Sequence, residues 1–348
     1  MSALHGRAKE ADDQSLENFL QFWLGHLDAS CLDHFFIIHG SDTYAAVAQH
    51  IESGLTRRGL RGTLLHFEEE AERVREIGIR HRHDRKAVAC LTYLLDYGRV
   101  ARDSTYRSHI KNLGVFDFWD IPRFRIVADV PLALFDRIFS QSKTDLIRRA
   151  NSIMQRLAGI DSIEIRTPTG TELIVRVAKD PTAWYANVGN PDDHVLPAGE
   201  IATRPISVDG RVDFSGTLIG TIPFGFKYGL IQPGELVLDF HQGLLTHIDG
   251  TNKPLIRDLK RIINRLPAIR RVGETSLSIN TGITELEGTG YQWEERYPGF
   301  HFALGAELSE NITSLAEREC PHHVDCVLSN PTITAANKTL FANHQFCL

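Results

Sequence analysis

The chain has no uninterrupted run of the roughly 18–20 apolar residues that a membrane-spanning helix requires, and no apolar stretch follows the basic residues near its start. A spanning helix and a secretory leader are therefore not expected, and the cytoplasm is the expected location. A basic excess is missing too: 38 Lys and Arg against 44 Asp and Glu leave a net charge of −6. No global positive field exists to hold nucleic acid or an anionic membrane. The basic clusters at 80–85 (RHRHDR) and 257–271 read as solvated local faces. Cysteine is scarce, five in 348 residues, odd in number and without paired spacing, which argues against a disulfide framework and for reduced thiols. Cys320 and Cys326 flank a His-rich segment, but without a second Cys-x-x-Cys pair they make a poor zinc site. No internal repeat or low-complexity tract is evident.

What is present is a globular composition, 42% apolar and 24% charged, with length for two domains. Leu16, Phe19, Leu20, Phe22, Trp23 and Leu27 recur at helical spacing and predict a lead-in helix within residues 1–30. The apolar run HFFIIH at 34–39 ends in Gly40, helical periodicity resumes over 42–58, and 62–67 is strand-like again. That order predicts parallel strands covered by helices. Residues 68–84 are charged and read as a helix or exposed loop, 86–96 as buried, 123–130 as a strand closed by Pro131, and 141–157 as a helix. From about 160 strands dominate. Segments 162–166 and 172–177 flank a turn and predict a hairpin. Strands follow at 212–219, 235–240 and 243–248, then a helix over 251–266 and a loop-rich end with short strands. The expected fold is an α/β N-terminal domain over residues 1–160 joined to an α+β, β-rich C-terminal catalytic domain over 161–348.

The chemistry-bearing residues lie in the second half. In a strand, residues two apart share a face, so His323 and Asp325 of HHVD can project together as a metal corner, although a lone His-x-Asp is more often a surface hydrogen bond. Glu200 follows the tight turn of LPAGE. Glu274 shares a strand face with Ser276 and Ser278 in GETSLSIN, opposite Leu277 and Ile279. His301 sits among apolar residues in GFHFALG, where a satisfied core histidine is the ordinary reading. Each motif is weak alone. Together Glu200, Glu274, His301, His323 and Asp325 supply a mixed N/O set that suits two divalent ions bridged by a carboxylate.

In order and spacing, LPAGEIATRP, GETSLSIN, FHFALG and HHVDCVLSNPT resemble the motifs of the metallo-aminopeptidases typified by aminopeptidase T and aminopeptidase S, over roughly residues 150–335. The resemblance implies a dinuclear hydrolase of an amide or related C–N bond, with two zinc, manganese or cobalt ions on those five residues, a metal-activated water as nucleophile and Glu200 and Glu274 as the catalytic carboxylates. It also implies a homodimer and a small-molecule or short-peptide substrate. One departure stands out. The family's tyrosine beyond the HxALG motif, which would steady an oxyanion, is Leu308 in this chain, with Tyr291 and Tyr297 lying upstream.

The chain's length is closer to that of ring-opening relatives such as the 2,5-dihydroxypyridine dioxygenases, which resemble the same scaffold with one iron. An alternative expectation follows: a mononuclear non-haem iron dioxygenase acting on a hydroxylated aromatic or pyridine ring, its iron on Glu274, His323 and Asp325. A non-catalytic protein on an old enzyme scaffold is the third reading.

Overall fold

The computed structural model of the chain describes residues 14–25, 34–40, 42–67, 69–82, 88–93, 103–105, 108, 121, 123–127, 129–190, 193–306 and 320–348. The chain forms two compact units, one of residues 1–145 and 187–198, the other of 146–186 and 199–348. Together they make a mixed α/β protein with a large curled antiparallel sheet.

Helix α1 (residues 14–24) buries Leu16, Phe19, Leu20 and Trp23. Its aromatic stripe packs within the first unit, Phe19 lying 5.3 Å from Phe135 and Trp23 lying 5.6 Å from Phe35 between ring centres. Strand β1 (His34–His39) then leads to α2 (Asp42–Arg57), β2 (Gly62–His66), α3 (Ala71–Arg82), β3 (Val88–Tyr93), β4 (Phe124–Val127), α4 (Leu132–Ile138) and α5 (Lys143–Leu157). β1 pairs in parallel with β2 on one side and β3 on the other. Such strands need crossover helices, which is why apolar runs alternate with amphipathic stretches in this half of the sequence.

The second unit takes in most of α5 and then the predicted hairpin, β5 (Ser162–Arg166) and β6 (Glu172–Arg176), followed by β7 (Trp184–Asn187). The short β8 (Val195–Leu196) returns to the first sheet, whose order is β2-β1-β3-β4-β8. β9 (Glu200–Thr203), β10 (Ser207–Gly220), α6 (Phe224–Tyr228), β11 (Ile231–His241), β12 (Leu244–Asp249) and α7 (Lys253–Arg265) follow. The last strands are β13 (Val272–Ser278), β14 (Gly299–Gly305), β15 (His323–Leu328), β16 (Thr332–Ala335), β17 (Lys338–Ala342) and β18 (Gln345–Phe346). They complete a sheet in which β10, β15, β14, β13 and β9 are consecutive neighbours.

α7 shows how local rules shape this unit. Asn252 caps it by accepting from the Leu255 amide at 3.2 Å, and Leu255, Ile256, Leu259 and Ile263 form its buried stripe. Among the described residues, no helix is long and apolar enough to cross a membrane. Cys320, Cys326 and Cys347 are free thiols.

Candidate metal centre

Four antiparallel neighbours, β9, β13, β14 and β15, carry the five residues singled out from the sequence. Their register puts Glu200 opposite Ser278, His301 opposite Ser276, Ala303 opposite both Glu274 and Asp325, and Gly305 opposite His323. Directly opposed residues point to the same side of a sheet, so Glu200, Glu274, His301, His323 and Asp325 all project from one face. Ala303, small and flanked by Glu274 and Asp325, leaves room between the two carboxylates. Gly199, at φ +126°, sets the entry of β9: a Cβ there would sit 2.9 Å from Cβ of Asn280.

The face is nearly dry. His301 is fully buried, Asp325 is 1% exposed, Glu274 2% and Glu200 5%. The His323 side chain is the open edge, 28% exposed. His301 Nε2 lies 3.1 Å from Glu200 Oε1 and 3.8 Å from Glu274 Oε1. His323 Nε2 lies 3.1 Å from Asp325 Oδ1 and 3.5 Å from Glu274 Oε2. Glu274 therefore spans the two imidazoles with its two oxygens.

The structure adds two residues that the sequence reading missed. Glu295 and Arg296 end a short 3-10 turn, Gln292–Arg296, immediately before β14. Glu295 Oε1 is 3.9 Å from His301 Nε2. Arg296 Nη1 is 2.8 Å from Glu200 Oε2 and 2.5 Å from Glu295 Oε1. A Glu-Glu-Arg triplet ordinarily reads as an exposed turn; the signal against that reading is its enclosure by Trp293 and Tyr297, both buried. Glu294 holds the turn in place by accepting from the amides of Glu287, Gly288 and Gly290 and from the Thr289 hydroxyl at 2.7–2.8 Å.

The charges follow from this packing. Burial raises the Glu274 carboxyl, and the neighbouring Glu200 carboxylate adds to the rise. Burial also pushes Glu295 up to about 8, against the pull of Arg296. Burial alone would raise Glu200 as well, but Arg296 and His301 outweigh it and hold that carboxyl well below the usual range. His301 goes up to about 10 and His323 well above its ordinary value, because surrounding carboxylates override the burial that would lower them.

Whether the residues fit a metal ion is decided by the imidazole protons. Ser278 Oγ donates its single proton to the Glu295 carbonyl at 2.5 Å, so towards His301 Nδ1, 3.0 Å away, it can only accept. Nδ1 of His301 therefore carries a proton. Nε2 faces the carboxylates, is fully buried and makes no hydrogen bond, as is also true of Glu295 Oε2. His323 repeats the arrangement, its Nδ1 donating to the Ala306 carbonyl at 3.1 Å while Nε2 faces Asp325 and Glu274. Imidazoles pinned at Nδ1, with Nε2 turned to carboxylates, are oriented as metal ligands are. Donors bound about 2.1 Å from one ion at a right angle lie about 3 Å apart; His323 is 3.1 Å from Asp325, and the two imidazoles are 3.5 and 3.8 Å from Glu274, near that spacing. Donor atoms of Glu200, Glu274, Glu295 and His301 also lie within 4.8 Å of one another. The cluster can hold a metal ion.

His241 and His247 are exposed, and His241 pairs with Asp209 at 3.2 Å. His322 Nδ1 lies 3.2 Å from the Thr221 hydroxyl. The Tyr297 hydroxyl donates to the Ser329 carbonyl at 2.9 Å, so it is not positioned to replace the family tyrosine. The position of Leu308 lies outside the described residues.

No family model matches the chain, and no curated protein does. The solved structure of 2,5-dihydroxypyridine dioxygenase from Pseudomonas putida KT2440 is similar to it, with a TM-score of 0.62 and 14% identity over 96% of each chain. At that identity the likeness shows the fold. It overturns the expected membership of the metallo-aminopeptidase family and the aminopeptidase-like metallohydrolase activity drawn from it. The motifs that suggested a peptidase are adjacent strands of one sheet, β9, β13, β14 and β15. Strands of one sheet can carry such motifs in the same order whichever reaction the site performs.

Proposed function

We propose that this chain is a mononuclear non-haem iron dioxygenase that opens a hydroxylated aromatic or pyridine ring. The observation that carries the reading is the pair of pinned imidazoles that share Glu274, His323 also reaching Asp325, on a scaffold similar along nearly its whole length to a ring-opening dioxygenase. Two imidazoles with a carboxylate are the donor set of non-haem Fe(II) oxygenases. His301, His323, Glu274 and Asp325 would hold the ion, which adds His301 to the three ligands expected from the sequence.

When bound, iron supplies the one-electron chemistry that lets ground-state oxygen react with a closed-shell ring. The protein does the rest. Ser278 and the Ala306 carbonyl fix the two ring orientations, and the buried strands β13 and β14 exclude water from the inner side. The partly exposed His323 marks the side from which a flat substrate would approach. Both oxygen atoms end in the opened product, so no external reductant is needed.

The test is elemental analysis of protein purified without chelator, paired with oxygen-electrode assays on dihydroxylated pyridines and benzenes. The expected result is one iron per chain and one O2 consumed per ring opened. Undiminished turnover under anaerobic conditions would overturn the proposal.

A further inference from the structure

We propose that Arg296 sets the number of ions at this centre, its guanidinium standing where a second divalent ion would otherwise sit. The proposal rests on the reading of the cluster as a metal centre, and it concerns how many ions that centre takes.

The donor set is larger than one ion needs. Besides His323 at the open edge and the buried Asp325, Glu200, Glu274, Glu295 and His301 bring their donor atoms within 4.8 Å of one another, all buried. Three carboxylates and an imidazole at that spacing form by themselves a site for a divalent cation. His301 Nε2, 3.1 Å from Glu200 Oε1, and Glu295 Oε2 are both buried. Yet this half of the cluster already has a cation. A single nitrogen, Nη1 of Arg296, bridges Glu200 Oε2 at 2.8 Å and Glu295 Oε1 at 2.5 Å, and the arginine side chain is only 6% exposed.

A guanidinium is permanently charged and more weakly hydrated than an ammonium, so it is the cation most readily buried between two carboxylates. By claiming Glu200 and Glu295 it leaves the two imidazoles, Glu274 and Asp325 to one ion. The 3-10 turn fixes Arg296 in this role. Glu294 anchors the preceding loop, and Ser278 binds the Glu295 carbonyl. Without the guanidinium, the two freed carboxylates would share Glu274 with the first ion and bind a second.

The experiment is a zinc and manganese titration of the full-length chain, read as bound equivalents by elemental analysis after desalting. Wild type, Arg296→Gln and the charge-retaining Arg296→Lys are compared. The expected result is one equivalent for wild type and Arg296→Lys, and two for Arg296→Gln. One equivalent in all three overturns the proposal and leaves the metal centre standing, as do two in wild type. None in any of them overturns the proposal together with the metal-centre reading. Arg296→Gln leaves two buried carboxylates uncompensated, so it is also expressed and purified with zinc throughout, where a second ion should restore folding. Failure to fold with zinc, while Arg296→Lys folds and holds one ion, equally overturns the proposal.

Discussion

Ser278 keeps a proton on Nδ1 of His301. Its own proton goes to the Glu295 carbonyl, and only its lone pairs face the imidazole. Ser278→Ala therefore frees the ring to turn and to change tautomer while leaving every proposed ligand in place. Partners of this kind commonly contribute 10–100-fold to metal affinity, and a loss of about that size is expected in a cobalt or iron titration by calorimetry. An unchanged affinity would show that the serine does not orient the ligand. At this scale the sequence was partly legible. The alternation Glu274, Ser276, Ser278 pointed to one polar strand face, and the structure brings all five singled-out residues to that side of the sheet. Burial of that face was not legible, because a polar strand face is ordinarily the wet one. Glu295 and Arg296 were missed for a related reason: nothing in a charged triplet says that it folds inward to neutralise carboxylates from a distant strand.

At the scale of elements, helices and parallel strands were the readable part. HFFIIH and the helix ending at Leu157 emerge nearly as expected, because a buried parallel strand is apolar on both faces and a surface helix repeats every 3.6 residues. β10 was read too short. Its first half, SVDGR, is polar and finds partners in β6 and β11, while its second half pairs with β15. Gly220 ends that strand at φ +126°, and a Cβ there would lie 2.1 Å from the carbonyl oxygen of His323. Gly220→Ala is expected to cost about 1–3 kcal/mol through forced backbone strain, measured by urea unfolding, and to loosen metal binding because the displaced residue is His323. A second tie joins α6 to α7. Lys227 and the Tyr228 hydroxyl both hold Asp258, and these hydrogen bonds draw its carboxyl down to about 2. A depressed carboxyl stabilises the fold above its unfolded-state value, near 3.8, and the gain disappears as pH falls through about 2. Asp258→Asn should therefore lower stability at pH 6 by no more than about 1 kcal/mol, the usual ceiling for exposed pairs. The gap between variant and wild type should close near pH 2. A gap of equal size at both pH values would assign the effect to packing.

At the scale of the whole molecule, the proposed centre belongs to one unit and one sheet. Four carboxyl groups, of Glu200, Glu274, Glu295 and Asp325, are buried on β9, β13, β15 and the turn before β14. Close packing of like groups in a dry interior is unfavourable unless cations intervene; Arg296 pairs with Glu200 and Glu295. An ion that binds the folded chain and not the unfolded one adds stability by mass action, about 2.7 kcal/mol when its free concentration is a hundred times its dissociation constant. Chelation should remove that stability locally. The expected outcome is faster amide hydrogen exchange in Val272–Ser278, Gly299–Gly305 and His323–Leu328 when the metal is stripped. Exchange in the parallel sheet of His34–His39 and Phe124–Val127 should stay unchanged, because those strands lie in the other unit. Exchange that is indifferent to metal in both units would mean that the buried carboxylates are balanced by protons and by Arg296 alone. The strands of the centre would then hold together without an ion.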